Sequence, residues 1–142
     1  MQVKLVLAPL AGTAVDPDVV RVATTLAKAW KAQVLLIHVI EVRWNMPLDS
    51  VLDAETERGE VILDEATRLA EQAGVKVESE LVQAREAAAA IVDTARDRSV
   101  DLIVLGMPYR KRMGRVYVGK TVQNVYVAAP CAVLAYRQEE TR

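Results

Sequence analysis

Asp101-Leu102-Ile103-Val104-Leu105-Gly106 is the stretch that decides the fold, together with the residues behind it: Met107 to Met113, then Gly114-Arg115-Val116-Tyr117-Val118-Gly119-Lys120-Thr121. A short apolar run bounded by Asp and Gly reads as a buried strand. Behind it comes a basic loop punctuated by glycines, and then a segment from Thr121 to about Ala128 that reads as a short helix. Strand, glycine loop and helix start together make a place where backbone N–H groups face a phosphate. A ligand of this chain is expected here.

Working outward, Val3–Ala8 is apolar apart from Lys4, and Val34–Ile40 is a second run of the same kind. Both read as strands covered on two faces. Pro9 to Val15 is a loop, and Asp16-Pro17 supplies an N-cap followed by proline at the first helical position. Val19, Val22, Ala23, Leu26, Ala27 and Trp30 then recur at helical spacing, so Trp30 is expected in the core. After an irregular connection over Arg43–Asp49, Ser50 is expected to cap a long helix that ends at Gly74. In Val75–Val82, Val75, Val77 and Leu81 alternate with Lys76, Glu78 and Glu80, as suits a half-exposed edge strand. Arg85–Arg98 reads as an alanine-rich helix. Cys131–Tyr136 reads as a last strand after Pro130, with a charged tail, Arg137–Arg142, that frays.

Five strands alternating with four helices predict a parallel sheet sandwiched between helices. Ligands of such folds bind beyond the carboxyl ends of the strands, where the strand order reverses. The first strand (Gly12) and the fourth (Gly106) end in glycine-bearing loops, so the reversal is expected between them.

Composition narrows the function. The chain has 142 residues, 52% apolar and 26% charged, which suits one domain over 1–142 with a real core. A net charge of −1 excludes a generally basic nucleic-acid binder. Met1 leads within three residues into a strand-like pattern, leaving no room for a signal peptide, and no apolar run reaches membrane-spanning length. The single Cys131 allows no internal disulfide, which fits a cytoplasmic location. One His and one Cys, with carboxylates spread along helix surfaces, assemble no catalytic arrangement and no metal site. His38, ending a buried strand, reads as a packing residue.

Lys4–Thr13, Leu35–Glu41, Asp101–Gly106 and Ala129–Leu134 together resemble the universal stress protein family, in the family's order and spacing over essentially the whole chain. The resemblance implies the adenine nucleotide alpha-hydrolase-like fold: a three-layer α/β/α domain with five parallel strands in the order 3-2-1-4-5. It also implies binding of ATP or a related adenine nucleotide, with Mg²⁺ only alongside the nucleotide. The implied site comprises Pro9, Leu10, Ala11, Gly12, Val39, Leu105, Gly106, Tyr109, Arg110, Gly119, Lys120 and Thr121, with adenine against Leu10 and Val39 and phosphates against Gly106, Gly119 and Lys120. The family motif is glycine, two residues, glycine, nine residues, then glycine and Ser or Thr. Gly106 and Gly119 match its outer positions. Tyr109 replaces the middle glycine, where its side chain is expected to crowd the phosphates. Lys120 replaces the Ser or Thr, with Thr121 next, and Ala11 stands where an acid usually ends the first strand.

Gly114-x4-Gly119-Lys120-Thr121 also has P-loop spacing. Its glycine, however, lies eight residues beyond Gly106 instead of directly behind the strand, and little chain remains for an acidic Mg²⁺ motif. Arg110, Lys111, Arg112 and Arg115 suit either a polyphosphate or a solvated loop. Three functions stay open, in falling order: a nucleotide-binding regulatory module, a dimeric stress-related interaction protein without nucleotide, and an NTPase. The uncharged strand 131–136 at a sheet edge predicts a homodimer.

Overall fold

Period-2 alternation sorts each central strand between two cores. Val6 and Ala8, Val34 and Leu36, Leu102 and Val104 point to one side; Leu7, Leu35 and Ile37, Ile103 and Leu105 point to the other. The computed structural model describes residues 1–109 and 111–140. In chain order its elements are β1 (Leu5–Pro9), α1 (Asp16–Trp30), β2 (Gln33–Glu41), α2 (Asp53–Gln72), β3 (Val77–Ala84), α3 (Ala87–Asp97) and β4 (Leu102–Met107). They continue with β5 (Lys111–Arg112), β6 (Arg115–Val116), α4 (Lys120–Ala128) and β7 (Ala132–Arg137). The main sheet is parallel throughout in the order β3-β2-β1-β4-β7, the expected 3-2-1-4-5 with β7 as the fifth strand. α1 and α2 cover one face, α3 and α4 the other. Leu7, Leu35, Leu36, Ile37 and Ile103 are fully buried, each side chain contributing about 1.5–3 kcal/mol. No helix among the described residues is long and apolar enough to cross a membrane.

The order reverses between β1 and β4, and there the ladder is short. Val6 pairs with Leu102 and Leu7 with Ile103, after which the two strands part. β2 and β3, by contrast, stay paired from Val34–Val77 to Glu41–Ala84. A crevice therefore opens at the carboxyl ends of β1 and β4.

Several local expectations are corrected. Asp16 is the first residue of α1, not its cap: Val15 is the N-cap, and the Asp16 carboxylate accepts the Gly12 N–H instead (2.9 Å). Trp30, at the last position of α1, is 36% exposed and lies outside the core. Ser50 does not cap α2, which starts at Asp53; its hydroxyl donates to the Pro47 carbonyl. β3 runs on to Ala84, and Arg85 precedes α3, where its guanidinium binds the carbonyls of Arg43 and Met46 (2.6 and 2.8 Å). The basic loop folds into a small antiparallel hairpin, β5–β6, and Arg137 ends β7 where a tail was expected to begin.

Gly106 holds α1 close to the end of β4. A methyl group there would come within 2.4 Å of Val19 Cγ2 and 2.8 Å of Val15 Cγ1. Val15 and Val19 are both buried and have no room to retreat. Gly106→Ala is expected to destabilise the fold by about 1–3 kcal/mol in urea unfolding.

Candidate functional site

The crevice is a cavity of about 370 Å³ beyond the carboxyl ends of β1, β2 and β4, closed on one side by the starts of α3 and α4. One wall is apolar: Leu10, Ile37, Val39, Ala87, Ile91 and Leu105. Backbone-rich segments, Gly106–Pro108 and Tyr117 with Gly119–Val122, line the cavity as well. Thr13, Asp16, His38 and Glu41 add polar groups from the β1 and β2 side.

Of the residues expected from sequence, Pro9, Leu10, Ala11, Val39, Leu105, Gly106, Gly119, Lys120 and Thr121 converge on this cavity. Gly12 and Tyr109 do not line it. Gly12, at φ +82°, is turned under α2, where a methyl group would meet Ile62 Cδ1 at 2.8 Å. The Tyr109 ring lies 5.1 Å from the Arg137 guanidinium, and its N–H donates to Gln138 Oε1 (3.3 Å). Arg110 lies outside the described residues. Sequence reasoning gave Asp16 only a capping role and Glu41 no role, because neither belongs to a spacing motif. Their signal was position alone: an acid opening α1 and another ending β2.

The two motif glycines differ in kind. Gly106 is demanded by the packing of α1. Gly119 has φ −62°, open to any residue, and a methyl group there would meet no atom of the described residues within 4 Å apart from its chain neighbours. Packing of the chain gives no reason for glycine at 119; an open space over its backbone does.

Parallel topology brings helix N-termini to this end of the sheet, each with unpaired N–H groups and a partial positive charge. Three already have carboxylates: Asp16 and Asp18 in the first turn of α1, Asp53 and Glu55 in that of α2, and Glu41, whose Oε2 accepts the Ala87 N–H (3.1 Å) at the start of α3. α4 has neither an acid in its first turn nor a side-chain cap, and it begins with Lys120. An anion entering the cavity is attracted to α4 and repelled from the other helix starts. Among the described residues, no group of three His, Cys, Asp or Glu is placed to hold a metal ion.

His38 Nδ1 lies 2.7 Å from the Leu10 carbonyl oxygen, so that nitrogen carries the proton and fixes the loop after β1. Burial pushes the Asp16 carboxyl above its ordinary pKa, against the opposing pull of N–H groups at Gly12, Ala11 and Thr13 and of His38. A raised native pKa means the native state holds the proton longer than the unfolded chain. Stability then falls as pH rises from the ordinary carboxylate range through the raised value, and is level above it. Asp16→Asn removes this titration. In urea unfolding at pH 4 to 7.5, its stability relative to the parent is expected to shift in the variant's favour as pH rises through that window, then to stay constant.

Comparison with known proteins agrees with the fold. The universal stress protein family matches residues 3–137. A universal stress protein of Methanocaldococcus jannaschii is 27% identical over 141 residues, covering 95% of this chain and 82% of that protein. The universal stress protein from Archaeoglobus fulgidus in complex with dAMP superposes with a TM-score of 0.74 at 20% identity, over 94% of this chain and 96% of that one. A universal stress protein in complex with cAMP gives a TM-score of 0.75 at 20% identity, over 96% and 98%. With the family match spanning every strand of the main sheet, this chain belongs to the universal stress protein family.

Proposed function

We propose that this protein is a regulatory module that binds an adenine nucleotide of the ATP, ADP and AMP class in the cavity between β1 and β4. The observation that carries the reading is the uncapped, acid-free start of α4, beside an unfilled glycine at 119, on a cavity that also has an apolar lining. The flat base suits Leu10, Val39 and Ile91, and the phosphates suit Gly106, Gly119 and the N–H groups of α4. Relatives of this fold described in complex with dAMP and cAMP support the same ligand class. Mg²⁺ enters only with the nucleotide. Without an acid at Ala11, phosphate recognition leans on charge at the exposed Lys120 and Arg115.

Calorimetry tests this. ATP is expected to bind more tightly than AMP, and both to weaken steeply with salt, since exposed charges are screened. Lys120→Ala is expected to weaken ATP by about 1.5–3 kcal/mol and AMP by less. Gly119→Ala is expected to unfold within about 0.5 kcal/mol of the parent yet to bind ATP more weakly. Salt-insensitive binding, or an unchanged ATP affinity in the Lys120 variant, contradicts the proposed contacts. No binding of any adenine nucleotide rejects the reading and leaves the interaction protein.

The same proposal includes a homodimer through β7. Among the described residues β7 pairs only with β4, so its outer edge is unpaired. Beside it, Tyr126 and Val127 of α4 are 54% and 89% exposed. Sedimentation at micromolar concentration is expected to give a dimer. Val127→Glu is expected to shift it toward monomer with little change in protomer stability, because Val127 buries almost nothing within the chain; a parent that sediments as a monomer refutes this.

A further inference from the structure

Two carboxylates reach the cavity, and they are differently engaged. Glu41 caps α3, whereas Asp16 is spent on no other helix. Asp16 Oδ2 accepts the Gly12 N–H at 2.9 Å, and its own N–H donates to the Thr13 carbonyl at 3.1 Å, closing the loop after β1 and presenting the carboxylate to the cavity. The preceding residue, Val15, packs over Gly106, where the phosphate end begins. Asp16 therefore stands at the junction between the apolar wall and the glycine-rich end.

We propose that Asp16 is the residue that selects the sugar of the nucleotide, its carboxylate accepting hydrogen bonds from the ribose hydroxyls. The inference rests on the nucleotide reading above and assigns the one part of the ligand that reading left without a partner. A carboxylate only accepts, so it answers a hydroxyl or amine and repels phosphate. The base belongs to the apolar wall and the phosphates to α4, which leaves the hydroxyls between them. Two anions, Asp16 and the polyphosphate, are then held apart by the width of a neutral sugar. Burial that raises the pKa of Asp16 is consistent with a group kept for binding at the expense of stability.

A chemical double-mutant cycle tests this: ATP and 2′,3′-dideoxyATP, each titrated by calorimetry into the parent and into Asp16→Asn. In the parent, removing both hydroxyls is expected to weaken binding about 10- to 100-fold, the range of a charge-assisted hydrogen bond. In Asp16→Asn, which keeps an acceptor but loses its charge, the penalty for removing the hydroxyls is expected to shrink several-fold. A merely structural role for Asp16 weakens both ligands equally and leaves the hydroxyl dependence intact, which overturns the proposal. ITP is the third ligand: if Asp16→Asn erases discrimination between ATP and ITP in place of the hydroxyl effect, the carboxylate reads the base and the sugar assignment is wrong. ATP binding to the parent with an additive cycle overturns this inference alone. A parent that binds no nucleotide overturns it together with the functional reading.

Discussion

Asp101 holds the starts of two strands level. Its Oδ2 accepts the N–H groups of Lys4 (2.7 Å) and Leu5 (3.1 Å), while its own N–H donates to the Leu5 carbonyl (3.0 Å). A hydrogen bond from a backbone N–H to a carboxylate is stronger than one between neutral groups, so the starts of β1 and β4 are tied where the two segments meet. Register set at one end is carried along both strands to the other. Slippage by one residue would turn every side chain of β4 to the opposite face, moving Leu105 out of the cavity wall and Val104 out of the core under α1. The placement of the loop after Pro9 beside the loop after Met107 thus rests on an acid at the opposite end of the two strands.

The cavity is also held from beneath. Leu10 donates its N–H to the Ile37 carbonyl (2.8 Å) and its own carbonyl oxygen meets His38 Nδ1, so the loop after β1 is pinned to β2 at both ends of one residue. The ring of His38 fits only because α2 carries glycine at 59, where a methyl group would lie 3.0 Å from His38 Cδ2 and 2.6 Å from Leu81 Cδ1. A helix that never lines the cavity therefore sets the position of one of its walls. Contacts this close transmit displacement, because a packed interior has little free volume to absorb it.

How much of this was legible in the sequence depended on whether a residue acts through periodicity or through a chosen partner. The strand order, both cores and the location of the cavity followed from apolar runs such as Leu102–Leu105, from the glycines that end them and from the family resemblance. The start of α1 did not, because a carboxylate at Asp16 can serve its own helix or the Gly12 N–H, and only the fold of the loop chooses. Arg85 joined the predicted helix by composition, whereas its fork of donors ties it to two carbonyls in the β2–α2 connection and its guanidinium lies 5.1 Å from the Trp44 ring. Two-residue strands such as β5 and β6 carry no period at all. Residues such as Gly119 and Thr121 reached the cavity list through the family's spacing; Asp16 and Glu41, outside that motif, needed coordinates.

The two edges of the sheet are unlike in one further respect. Along β3, Glu78 and Glu80 are both bound by Arg98 from the end of α3, with Arg98 Nη2 at 2.9 Å from Glu78. Glu78 and Glu80, two residues apart, stand on one face of β3, and paired charge along an edge strand disfavours the docking of another strand there. Among the described residues β7 carries no such guard. In general, a molecule with one open sheet margin can pair that margin once and leaves none for a third. Glu78, Glu80 and Arg98 give β3 the charged character that disfavours strand addition on its side of the sheet.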